Sequence, residues 1–325
     1  MGRICHACVV EEQGAPSPAA QAAAQTVRVD HSTAEVLRAF ERAGVSCIVM
    51  KGPALARWLY EPHERRAYRD SDLLVAPRDW AAAQRVLSEM GFVARGELLS
   101  TPWWNTHAVE WAPPAGHALV DLHYTLQGVG VEPERVWSIV SRRLETLEIG
   151  GFPAPVLTVP GLALTHALHA CHHGPGWPAL AELERALARE DEATWVAAAA
   201  LAAELDAVET FAAGLRLVSE GRELADRLGL PDQTPLEIAL APNFAPPGAL
   251  SVERFTSAPS MRRRLAMIRY ALVPPPSVVR PWQRRGHSGR RELLRAYAVH
   301  AIGVAWRAPA AVRAWRRARR APGSP

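Results

Sequence analysis

The spacing of apolar positions changes near residue 160. Before it, short β-branched or leucine runs are bounded by turn residues; beyond it, apolar residues recur at helical spacing. Ser32-Thr33-Ala34-Glu35 matches an S/T-x-x-E capping pattern and predicts a helix over 32–43, closed by Gly44. Residues 45–50 read as a buried strand ending at Lys51-Gly52-Pro53. Proline at a first helical position opens a helix over 53–60, with Leu55, Trp58 and Leu59 on one face. Residues 73–75 predict a second strand, 80–90 a helix capped by Asp79, and 109–111 with 118–124 an antiparallel hairpin around the turn-rich 113–116. Helices are expected at 162–170, 179–189, 193–203 and, as one long element, 208–228; prolines at 242–247 and 274–276 mark linkers. The chain therefore reads as a mobile leader (1–28), a small α/β unit (29–150), a helical unit (151–260) and a C-terminal segment (261–325).

Chemistry-bearing residues gather in the α/β unit. Alternate side chains of a strand share a face, so Asp70 and Asp72 point together. Adjacent carboxylates repel unless a cation sits between them. Oxygen ligands of this kind suit Mg²⁺, which takes one or two carboxylates plus substrate phosphates. Asp121, inside Val120-Asp121-Leu122-His123, would complete from a neighbouring strand a two-metal clamp for in-line phosphoryl displacement. Gly52 lets a triphosphate approach backbone N–H groups at a helix start, and Lys51 beside it supplies charge. Taken singly these residues have plainer readings. Asp-x-Asp pairs are common in loops and caps, Arg66 suits a structural partner of a carboxylate, and His123 suits a hydrogen-bonded core position.

Taken in order, Lys51-Gly52-x-x-Leu55-x-x-x-Leu59-Tyr60, Arg66-x-x-x-Asp70-x-Asp72-Leu73-Leu74-Val75 and Asp121-Leu122-His123 resemble the uncharacterised bacterial nucleotidyltransferase family of the polymerase-β superfamily. A helical region with paired histidines, here His169 with His172 or His173, follows in that family. The resemblance spans roughly residues 30–230. It implies an α+β fold, a minimal nucleotidyltransferase mixed sheet with flanking helices followed by a helical domain. It also implies Mg²⁺ (or Mn²⁺) and a nucleoside triphosphate as co-substrate. By that likeness Asp70, Asp72 and Asp121 are the catalytic metal ligands, Asp121 also accepting the acceptor's proton, and Lys51, Gly52 and Arg66 lie on the nucleotide. The superfamily's more usual Gly-Ser after the first strand is Lys51-Gly52-Pro53 here, and no second lysine follows. The implied reaction moves a nucleoside monophosphate from an NTP to an acceptor hydroxyl or phosphate. A natural-product or peptide acceptor is favoured; a toxin-like tRNA nucleotidyltransferase and a catalytically reduced partner protein are the alternatives.

Composition adds two features. Lys51 is the one lysine among 37 basic residues, a pattern suggesting a site where a compact ammonium, not a guanidinium fork, is needed. Residues 261–325 hold sixteen arginines against one acid, Glu292, while the rest of the chain is net acidic. Arg284, Arg285, Arg290, Arg291, Arg313, Arg316, Arg317, Arg319 and Arg320, interleaved with Trp282, Trp306 and Trp315, suit nucleic acid, an anionic membrane surface or docking onto the acidic body. The last is preferred.

Other classes are excluded or weak. No run of about 18 apolar residues exists to span a membrane. No apolar h-region follows Met1-Gly2-Arg3, and four cysteines make no disulfide scaffold, so a cytoplasmic location is expected. Cys5-His6-Ala7-Cys8 lacks a second pair at zinc spacing. There is no P-loop motif, no kinase catalytic loop and no nucleophile elbow. His166, His169 and His173 share a helix face, where packing is the commoner outcome than ligation.

Overall fold

The computed structural model describes residues 17–61, 64, 66–95, 107–177, 180–241, 243–258, 260–274 and 290–320. Cys5 and Cys8, Trp282, Arg284 and Arg285 lie outside the described residues.

A seven-stranded mixed sheet carries the first half of the chain. Its strands are β1 (Cys47–Val49), β2 (Asp70–Val75), β3 (Val93–Arg95), β4 (Ala108–Ala112), β5 (Leu119–His123), β6 (Leu144–Ile149) and β7 (Phe152–Leu157), in the order β3-β4-β5-β2-β1-β7-β6. β2 runs antiparallel to β1 and parallel to β5, and β7 runs parallel to β1. Helices α1 (Pro18–Arg42), α2 (Pro53–Leu59), α3 (Trp80–Glu89) and α4 (Pro133–Val140) accompany the sheet. Ile48, Leu73, Leu74 and Leu122 from its central strands are buried with Phe40 of α1 in one core. Burying each such side chain contributes about 1.5–3 kcal/mol.

Several expected boundaries shift. The first helix starts fourteen residues before Ser32, at Pro18 with Ser17 as its cap. Ser32 and Thr33 instead face the sheet: the Ala118 amide donates to Ser32 Oγ at 3.0 Å, and Thr33 Oγ1 meets Ser71 Oγ. A buried tertiary use of the two hydroxyls thus outweighs the local capping signal. Strand β2 begins at Asp70, not Leu73, so both aspartates lie inside the ladder. Asp79 makes no side-chain cap; its Oδ2 accepts the Ser46 amide at 3.0 Å. β7 extends the sheet to Leu157, past the expected change of unit at residue 150.

The helical half is built on α5 (Val159–His173), with α6 (Leu180–Arg189), α7 (Glu192–Glu204), α8 (Val208–Leu215) and α9 (Ser219–Arg227). From Gly161 to Leu168 every residue of α5 is buried, as suits a helix enclosed on all sides. α8 crosses it closely at Gly214, where a Cβ would fall 2.0 Å from the Ala167 carbonyl oxygen. The single helix expected over 208–228 is two, because the chain turns back after Leu215 and brings Gly221 against the Leu215 carbonyl. The short α10 (Leu236–Ala239), then α11 (Ala249–Thr256), α12 (Met261–Leu272) and α13 (Arg290–Ala318), complete the described chain. The end of α13 docks on the body: Ala311 and Ala314 are buried with Leu240 and Ala249. Arg319 donates two bonds to Glu253, at 2.9 and 2.7 Å, and Trp315 Nε1 a third at 2.6 Å.

Candidate active site

The register of two parallel strands sets the acidic face. Asp72 of β2 lies directly opposite Asp121 of β5, with Asp70 two residues earlier on the same face of β2. His123, two residues beyond Asp121, shares that face, and ligand atoms of Asp72, Asp121 and His123 all lie within 4.8 Å of one another. Lys51, where the chain leaves β1, places Nζ 2.9 Å from Asp72 Oδ1; His123 Nε2 is 3.2 Å from the same oxygen.

This arrangement splits the carboxylates electrostatically. Burial alone would raise Asp72, but the Lys51 ammonium and the His123 contact outweigh it and hold its carboxyl well below the usual range. Asp121 feels Lys51 only as a weaker, more distant charge. Burial first, then the neighbouring charges of Asp72, Asp70 and Glu110, push it up to about 7. Asp70 is also raised, by burial and by Asp72, with Lys51 acting the other way. Two carboxylates raised by burial and then by their neighbours' charges stand beside a third held ionised, and the converging donors of Asp72, Asp121 and His123 are a set that a divalent cation would relieve. The residues present therefore fit a metal.

Gly52 has φ +56°, and a Cβ there would lie 3.3 Å from the Asp70 carbonyl oxygen and 3.5 Å from the Tyr68 ring. The absence of a side chain is thus needed for β1–α2 to pass close to β2. Arg66 is bound to the helical half, although its charge still acts on Asp70. Its guanidinium forks onto Glu182 of α6, Nη2 to Oε2 at 3.0 Å, and the Tyr60 hydroxyl donates to the same carboxylate at 3.0 Å.

Sequence reading gave no weight to His107, whose ring sits 5.3 Å from that of His123. Its place just before β4, opposite the end of β5, depends on long-range pairing. On α5 the expected shared face is present: His166, His169 and His173 gather around Trp177 at ring separations of 5.3, 4.9 and 5.3 Å. Burial dominates their shifts, lowering His166 to about 4 and His169 to about 2, so these two rings are neutral near pH 7. They pack. Lys51, Asp72, Asp121, His123, His169 and His172 open onto one cleft of about 2360 Å³ between the sheet and the helical half.

Residues 17–221 match the family of uncharacterised nucleotidyltransferases, and the chain belongs to it. The matched stretch takes in the whole mixed sheet and the helices as far as the start of α9. Solved structures that resemble the chain include the following three. The solution structure of the antibiotic-resistance factor ANT(2'')-Ia is 16% identical, covers 57% of this chain and 96% of its own, and gives a TM-score of 0.38. The crystal structure of ANT(2'')-Ia with adenylyl-2''-tobramycin is 16% identical, with 52% and 93% covered and a TM-score of 0.38. An antigenic nucleotidyltransferase-like protein from Paracoccidioides brasiliensis is 13% identical, with 55% and 93% covered and a TM-score of 0.31. No curated protein matches the chain. Among the described residues no helix is long and apolar enough to cross a membrane.

Proposed function

We propose that the protein transfers a nucleoside monophosphate from an NTP to an acceptor hydroxyl or phosphate, releasing pyrophosphate, with Mg²⁺ or Mn²⁺ held by Asp70, Asp72 and Asp121. The observation that carries this reading is the register pair Asp72↔Asp121 beside Lys51, at the mouth of a cleft large enough for two substrates. A bound divalent ion would neutralise charge developing on the α-phosphate and on the leaving pyrophosphate. Lys51 turns from Asp72 to the phosphates when nucleotide enters, and the Gly52 backbone lines their approach. Asp121, open to the cleft, takes the proton from the acceptor. His123 keeps Asp72 in position through its bond to Oδ1. Holding both substrates in one cleft supplies the remaining advantage, by proximity and orientation.

The acceptor we favour is a small molecule or peptide, neutral or cationic. The cleft wall away from the sheet carries Glu132, Asp206, Glu209, Asp232 and Glu237 against two arginines, Arg254 and Arg263. Such a wall repels a polyanion, which disfavours tRNA. Calorimetric titration of the purified protein with each NTP, with and without Mg²⁺, tests the reading. Binding that requires the metal supports it; tight metal-independent binding would count against it.

A further inference from the structure

The two C-terminal helices, which reach the far end of the cleft with Arg263 and Ala318, also expose apolar residues in stripes. On α12, Met261, Leu265, Ile268 and Leu272 are 65, 60, 43 and 46% exposed. At 100° per residue they fall within an arc of about 60°. On α13, Val299, Ile302 and Trp306 are 63, 69 and 84% exposed and occupy an arc of about the same width. Soluble proteins expose single apolar residues routinely, but contiguous stripes mark interaction surfaces.

The charges around these stripes have one sign. Arg262 and Arg269, both exposed, lie along one edge of the stripe of α12, and the exposed Arg295 and Arg313 continue the arc of α13 beyond its two ends. Glu292 is the one acid from residue 261 to the C-terminus. The pair is also held in place. The Tyr297 hydroxyl donates to the Pro274 carbonyl at 2.8 Å, His300 Nε2 lies 2.9 Å from the Ala271 carbonyl, and Arg319 ties the end of α13 to Glu253.

We propose that these faces of α12 and α13 bind the surface of an anionic phospholipid bilayer. Aliphatic side chains and Trp306 enter the headgroup–acyl boundary, while the arginines keep their stems along it and their guanidinium groups at lipid phosphates. A second copy of the chain is a poorer occupant, since pairing like faces sets arginine against arginine. RNA is poorer too, because it offers nothing apolar to a stripe of Met, Leu and Ile.

The test is flotation of the full-length protein with phosphatidylcholine vesicles and with vesicles containing about 30 mol% phosphatidylglycerol. Binding is expected only to the anionic vesicles. Leu265→Glu with Ile302→Glu, both at exposed positions, should weaken it at least about tenfold without moving the thermal melt. Absence of flotation with anionic vesicles, or equal flotation with neutral ones, would overturn the proposal. So would a solution dimer, or RNA binding, that the double variant abolishes while vesicles are ignored.

Discussion

Asp121 sits against three like charges, Asp72, Asp70 and Glu110, which the more weakly acting Lys51 does not offset. Asp121→Asn should therefore relieve repulsion in metal-free buffer, raising Tm by about 2–4 °C per kcal/mol gained, while turnover falls about 10²–10³-fold. A scanning calorimeter and a pyrophosphate-release assay on the same preparation read both; a lowered Tm with turnover intact would refute the account. Lys51→Arg should lower nucleotide affinity at least about tenfold although charge is kept, because a fork cannot replace a compact ammonium between Asp72 and phosphate. Titration showing unchanged affinity would remove Lys51 from the phosphates. These residues were legible in the sequence because strand parity aligns Asp70 with Asp72, and Asp121 with His123, whatever the rest of the chain does. Their pairing was not. The facing of Asp72 and Asp121 depends on which strands neighbour, and the partner of Arg66, Glu182, lies 116 residues away.

At the scale of elements, the close crossing of α8 over α5 leaves no room for a side chain at Gly214. Gly214→Val should cost about 1–3 kcal/mol or more by forcing the helices apart, measurable by urea denaturation. The docking of α13 has a pH dependence of definite sign. Bonds from Arg319, Ser257 and Trp315 lower the Glu253 carboxyl to about 2, below its unfolded value. Its contribution is thus fully present above the ordinary carboxylate range and is lost as pH falls toward about 2. Hydrogen exchange of the last turns of α13 should accelerate over that interval, and in Glu253→Gln should already be fast at neutral pH. The elements that sequence patterns showed well are those fixed locally, such as α2 behind Pro53 and the β4–β5 hairpin around its turn. β7 was missed because Pro153 and Pro155 interrupt a strand pattern, and α1 was cut short because Ser32 resembles a cap while serving the sheet.

For the molecule as a whole, the main core among the described residues ends at Ala225, with Leu228 and Leu230 packed on it, whereas the C-terminal helices share a separate small cluster through Ala311 and Ala314. A chain ending at residue 259 should therefore fold and transfer to a small acceptor at a similar rate, losing only the vesicle binding assigned to α12 and α13. A truncated protein that folds but has lost transfer would place the C-terminal helices in the active site. The central claim, that the paired acidic face is a metal-dependent nucleotide site, is tested most directly by Mn²⁺ electron paramagnetic resonance with a non-hydrolysable NTP. Wild type should bind Mn²⁺ with resolved coupling to phosphate phosphorus, and Asp121→Asn should lose it while Asp226→Asn, on the remote α9, keeps it. Equal Mn²⁺ binding in all three proteins would contradict the account.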